Sequence, residues 1–373
     1  MIKINLHALF TIGCFSLFWA CSSVNHSEVV SVDIDPNRST LDSIVFADRE
    51  IIMLETPPEA ILSKIVAIDG YKDNLYILDS QRGNIFVFTK DGAYLSTIGR
   101  RGRGPGEYGS ILDFCIDRDN EELIIMADSP NKIMFFSLSG MFISETDIED
   151  HIFEIVKQGN KLYSYLLTKD KDKLGVFEMD GHTIRALKYL ELPKLETDPH
   201  VMMRPFGRML QASEFGILFT RTFDNTIYNV TDDELIPLLT IDFGKFYLKN
   251  ANILDSDELL QRVARDRIIY GMSNAKLVAE NKIIFNGFPN GVFVIDGTTA
   301  HHYGTIESDV YPLGYTDMTP LLAPETNYIS FTLSASQFAS LVWQDSINYT
   351  VEMTRLSQLK DEDNPVIFLY KVK

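Results

Sequence analysis

The stretches "ILDSQRGNIFVFTKDGAYLSTIG" (77–99) and "IMADSPNKIMFFSLSGMFISETD" (125–147) align with a single one-residue shift, and this self-similarity constrains the fold more than any other feature of the chain. Asp79-Ser80 falls on Asp128-Ser129, Phe88 on Phe136 and the turn glycine Gly92 on Gly140, at offsets of 48 or 49 residues. A third copy, "LGVFEMDGHTIRALKYL", repeats the pattern through Val176-Phe177 and Asp180-Gly181. Weaker copies follow at 224–241 and 290–306. A period of about 40–50 residues with four short strands per unit predicts an all-β propeller, because one blade cannot bury both of its faces alone.

The first unit reads as strands near "KIVAI", "NLYIL", "NIFVF" and "YLSTI", broken by turn residues such as Asp91-Gly92. Counting in this way gives six four-stranded antiparallel blades, near 61–99, 109–148, 154–192, 205–243, 276–306 and 326–373. A seven-bladed ring with one degenerate blade, or a pair of β-sandwiches, fits the same period. The last unit ends at "NPVIFLYKVK" without an outer strand, and "REIIMLET" (49–56) is the expected donor, which would close the ring without a free edge. In "NILDSDELLQRVARDRIIYG" (252–271), Leu259, Leu260, Val263, Ala264 and Ile268 fall near helical spacing, predicting one short helical insertion. Residues 41–373 are therefore expected as a single propeller domain.

Ahead of it, Lys3 precedes a 17-residue apolar run ending at Ala20, and the polar "SSVNHSE" follows Cys21. That is the layout of a signal peptide, shorter than a membrane-crossing helix needs. The Ala20-Cys21 junction, with Phe18 and Trp19 before it, resembles a bacterial lipobox. The resemblance implies removal of residues 1–20, acylation of Cys21 as a membrane anchor, and a tether over 21–40. The expected address is the cell envelope. Ser22 in place of an aspartate points to the outer membrane, and the lack of a dense acidic run after Cys21 favours its periplasmic side. Beyond Cys21 the remaining cysteine, Cys115, lies in the apolar "DFCID", so no disulfide framework is expected. With 52 acidic against 34 basic residues the net charge is −18, the wrong sign for neutralising phosphates, which excludes nucleic acid as a partner.

The segment "IGRRGRGPGEYGSILDF" (98–114) contains Gly104-Pro105-Gly106-Glu107-Tyr108-Gly109, the spacing of a dinucleotide-binding turn, with Asp128 about twenty residues on. Such a turn must open into a helix that holds the pyrophosphate. Here "SILDFCIDRDNEELIIMAD" supplies two more strands and no crossover helix. The glycines read instead as a joint between blades one and two, and no nucleotide is expected.

This joint, preceded by "NIFVFTKDGAYLST", resembles the interblade signature of NHL-type repeats, and especially the six-bladed β-propeller lipoproteins of Bacteroidetes. "LYILDS", "DNTIYNV", "IDFGKF" and "DNPVIFLYKVK" sit where that family has similar stretches. The resemblance implies fold and export rather than a ligand.

In a propeller, the second-to-third-strand loops and the interblade connections open on one face. That gathers Asp79, Arg82, Arg100, Arg101, Arg103, Glu107, Asp128, Arg221 and Asp224 on one rim, with His200 and Arg204 in "DPHVMMRPFGR". Guanidinium groups grip carboxylates and sulfates bidentately, so the rim is a candidate site for a glycan, peptide or protein partner. The alternative is that Arg101 or Arg103 pairs with Glu107 or the strand-end aspartates simply to fix the loop. No cofactor is expected under the binding reading. An alternative reading is a metal-dependent lyase or hydrolase at the central channel, for which Ca or Zn would be needed. Against it, no histidine has ligand spacing, and adjacent His301 and His302 point to opposite faces of a strand.

Overall fold

The computed structural model describes residues 27–167, 172–195, 207–248, 256–324, 326–339 and 351–373. They form six four-stranded antiparallel blades. Blade 1 runs from Ile65–Tyr71 to Tyr94–Ile98, blade 2 from Ser110–Asp117 to Phe142–Asp147, and blade 3 from His151–Gln158 to Thr183–Glu191. Blade 4 runs from Leu210–Ser213 to Leu235–Asp242 and blade 5 from Gly271–Ala279 to Thr299–Tyr303. Blade 6 is assembled from Met318–Thr319, Tyr328–Leu333, Val366–Val372 and Phe46–Met53. First strands of neighbouring blades touch, so they line the central axis.

The core explains why several strands read as unbroken apolar runs. Six buried clusters lie one at each interface between blades, and successive residues of a strand feed different clusters. Leu75 and Ile77 pack toward blade 6, whereas Tyr76 and Leu78 pack toward blade 2. Side chains alternate across a strand, so a blade covered on both sides must be apolar at every position.

The closing strand pairs antiparallel with the last strand of the chain, Ile52 against Ile367 and Phe46 against Val372. It starts three residues earlier than expected. Blades 5 and 6 also start earlier, at Gly271 and Met318, because their inner strands lack the repeat's apolar alternation. In the expected insertion the helix spans Ser256–Asp266 and buries Leu259 and Val263, leaving Leu260 and Ala264 exposed. It is not the only helix, since blade 6 carries Ala335–Ala339 and Val351–Leu356 between its second and third strands.

Part of the stretch expected as a tether lies against the ring. Glu28–Ser31 adds a fifth, parallel strand outside blade 4, and Ser39–Leu41 pairs parallel with Thr305–Glu307. Among the described residues no helix is long and apolar enough to cross a membrane.

Candidate functional site

The joint between blades 1 and 2 is built from its glycines and acids. Arg100–Arg101 pairs parallel with Glu107–Tyr108, and a strand rather than a helix follows, so this joint lacks the turn-to-helix geometry of a dinucleotide-binding turn. Gly106 has a φ of +75°, and a Cβ there would lie 2.8 Å from the Phe142 ring. Glu107 accepts from the Gly104 N–H at 2.9 Å and pairs with Arg100 Nε at 3.2 Å. The Gly104 hydrogen bond, with Arg100 nearby, holds its carboxyl below the usual carboxylate range.

Two of the rim aspartates are structural clamps. Buried Asp79 accepts from the Ser63 N–H and from the N–H groups of Lys64, Gln81 and Arg82 at 3.0, 2.9 and 2.8 Å. Buried Asp224 accepts from Arg221 Nε and the Tyr228 hydroxyl, both at 2.8 Å, while Arg221 also donates to the Pro193 carbonyl. These carboxylates fix the loops between second and third strands. Asp128 occupies the position equivalent to Asp79 but is only half-buried.

The arginines differ. Arg82 Nε donates to the Ile61 carbonyl at 3.1 Å, and Arg101 Nη2 donates to the Gln81 carbonyl at 3.2 Å while covering Gly83. The Arg103 side chain makes no hydrogen bond or ion pair among the described residues. All four, Arg82, Arg100, Arg101 and Arg103, are exposed. The structure thus leaves four exposed arginines on the blade 1–2 joint and the adjoining 80–83 loop, with Arg101 reaching from the joint to that loop, and separates them from the latched Arg221–Asp224 pair. His200 and Arg204 lie outside the described residues.

The central axis is closed by groups the sequence reading did not single out. Arg208, from blade 4, is ion-paired with Asp113 of blade 2 and donates to the Ile155 carbonyl of blade 3 at 2.8 Å. Its backbone N–H donates to Asn274 of blade 5, also at 2.8 Å. Glu154 accepts from the N–H groups of Met209 and Leu210 at 3.0 and 2.7 Å; burial raises its carboxyl, Arg208 opposing and the Asp113 charge adding to the shift.

The segment Pro320–Pro324 fills the remaining axis. Ile68 of blade 1 pairs with its backbone, Gln211 of blade 4 donates to Leu321 O at 3.0 Å, and Lys276 of blade 5 donates to Ala323 O at 2.9 Å. Blades 1 and 4 face each other across the ring, so this segment spans it. A metal would need free carboxylate or imidazole groups converging there, yet among the described residues no three such groups do, and Asp113 and Glu154 are committed to Arg208 and backbone N–H groups. Among the described residues these groups do not fit a channel metal. His302 is buried with Nε2 donating to Asn290 O at 3.0 Å, and His301 is exposed, as their strand alternation requires. Cys115 is buried, and burial pushes its thiol up, away from reactivity.

Solved structures share this architecture. A protein from Bacteroides fragilis NCTC 9343, named as one expected to be exported, superposes with a TM-score of 0.65 at 17% identity, covering 92% of this chain and 99% of that one. A DUF4221-family member from Bacteroides vulgatus ATCC 8482 gives 0.51 at 9% identity, covering 88% and 98%. Among curated proteins, the flagellar P-ring protein of Borreliella burgdorferi strain ZS7 is 24% identical over 194 residues, 46% of this chain and 58% of that protein's length. The profile of a domain of unknown function, DUF4934, matches residues 28–371, from the added strand of blade 4 to the end of blade 6, and the chain belongs to that family.

Proposed function

We propose that this protein is a non-catalytic binding or scaffold propeller of the cell envelope, which presents the arginine-bearing face of blades 1 and 2 to the anionic groups of a glycan, peptide or protein partner. The observation that carries this reading is the set of three exposed arginines on one joint, Arg100, Arg101 and Arg103, with exposed Arg82 on the adjoining loop, in a chain whose net charge is −18. Their loops are held by buried or backbone-bonded carboxylates, and although Arg82, Arg100 and Arg101 each spend one donor locally, the exposed guanidinium groups keep further N–H groups facing outward. Such preorganised donors bind carboxylate or sulfate at low entropic cost.

The leader pattern before Cys21 supports export and lipid anchoring, and a ring without free edges suits an extracytoplasmic scaffold. Because Ser27 already lies on blade 4, its hydroxyl beside that of Thr240, six residues from Cys21 to Ser27 would hold the ring within about 20 Å of an anchor. A binding array of acidic and neutral oligosaccharides and peptides, probed with wild type and with Arg101 and Arg103 both changed to Ala, tests the reading. Retention of acidic members by wild type and their loss from the variant is expected. No acidic member bound at about millimolar concentration would defeat it.

A further inference from the structure

The opposite face carries a second concavity. Where the turns between first and second strands of blades 2, 3 and 4 meet Pro324, a cavity of about 230 Å³ opens at the mouth of the closed channel. That lies below the roughly 300–1,000 Å³ of pockets that take drug-sized ligands, so it suits a small one. Its walls combine apolar Ile116, Ala212 and Pro324 with charged Arg118, Asp119, Lys157 and Glu214.

Charge decides the ligand class. Lys157 Nζ donates to Asp117 at 2.8 Å and to Asp119 at 2.9 Å, and Arg118 donates to Asp69 at 2.6 Å. Arg118 and Lys157 thus stand against four carboxylates, Asp69, Asp117, Asp119 and Glu214, so an anion gains nothing by entering. A cation would sit beside the buried Lys157 ammonium. What remains is an alternation of fixed donors and acceptors over an apolar floor. Inward, the walls of Ile116, Arg118 and Lys157 continue into a narrower cleft lined by Gln211, a residue 5% exposed. Gln211 Nε2 is used on Leu321, while Oε1 is buried without a partner among the described residues. A buried acceptor of that kind asks for a hydroxyl.

We infer that this channel mouth is a binding site for a neutral polyhydroxylated ligand, a single uncharged sugar ring, with vicinal hydroxyls bridging Asp119 and Lys157 and a further hydroxyl directed toward Gln211. The site lies on the face away from the arginines and does not depend on them.

The test is saturation-transfer NMR and calorimetry on the mature protein with glucose, mannose and N-acetylglucosamine up to about 10 mM, the range open to small ligands. Glucuronate, lysine and Ca²⁺ serve as charged comparisons. At least one neutral sugar is expected to bind and to weaken about tenfold or more in D119A/E214A, whose two carboxylates are exposed, while R101A/R103A binds it unchanged. In wild type, sugar should raise amide-exchange protection at 157–159 and 212–214, which stands independently of how the variant folds. Binding of the charged probes alone, no neutral sugar bound, or protection elsewhere would overturn the assignment.

Discussion

At the scale of single residues, similar side chains do different work according to burial. Asp79 is buried and gathers four backbone N–H groups from two loops, so Asp79→Ala removes the acceptor they share. A loss of about 3 kcal/mol in denaturant unfolding is expected, whereas Asp128→Ala, half-buried at the equivalent position, should cost under about 1 kcal/mol. The two glycines of the joint separate in the same way. Gly106→Ala forces a side chain into positive φ and onto Phe142, and should cost about 1–3 kcal/mol. Gly104 lacks positive φ, and its added Cβ would meet only the flexible end of Glu107 at 3.2 Å. Buried His302 supplies a pH dependence. Burial lowers its pKa from 6.5, so the fold prefers the neutral ring. Its contribution is complete above about pH 6.5 and is lost as pH falls below that value, where the unfolded chain takes up the proton first. Melting curves between pH 7.5 and 5 should therefore fall more steeply for wild type than for His302→Phe.

At the scale of elements, ring closure and the added strand make unequal demands. The closing strand Phe46–Met53 buries Phe46 and Ile52 and hydrogen-bonds along seven register positions. Strand Glu28–Ser31 buries Val30 alone. A chain beginning at residue 38 should keep a single cooperative transition, while one beginning at residue 54 should lose it and expose strand edges that aggregate. Ile52→Ala should cost about 2–4 kcal/mol. These closing contacts were legible because the repeat leaves the last blade one strand short. The plug Pro320–Pro324 was not, since its partners Ile68, Gln211 and Lys276 come from three separate blades and nothing local announces them. The blade 6 helices escaped for a different reason, lying inside a unit whose repeat had already faded. Of the candidate site, the residue types and the face were legible in "GRRGRGPGEY". Which arginines stay exposed was not, because Arg221 is buried and taken up by Asp224 and Pro193 only once the chain has folded.

For the whole molecule, the two faces of the ring are chemically distinct, with exposed arginines on one and, on the other, a cavity whose cations are paired with carboxylates. Among the described residues the axis is filled by Arg208 and Pro320–Pro324, and a propeller of this kind is compatible with a binding or scaffold role. The envelope address has its own check: Cys21→Ser should move the protein from the membrane to the soluble fraction, and an unchanged membrane fraction would count against acylation. The central claim, that the blade 1–2 joint binds an anionic partner, is tested most directly by calorimetric titration of an acidic oligosaccharide into wild type and into R101A/R103A, alongside their melting temperatures. The account predicts that the double variant loses about 1–3 kcal/mol of binding per charge-assisted contact while its melting temperature stays within a few degrees of wild type. Equal binding by the two proteins, or a collapse in melting temperature that accounts for the lost binding, would contradict it and leave the arginines as parts of a structural joint.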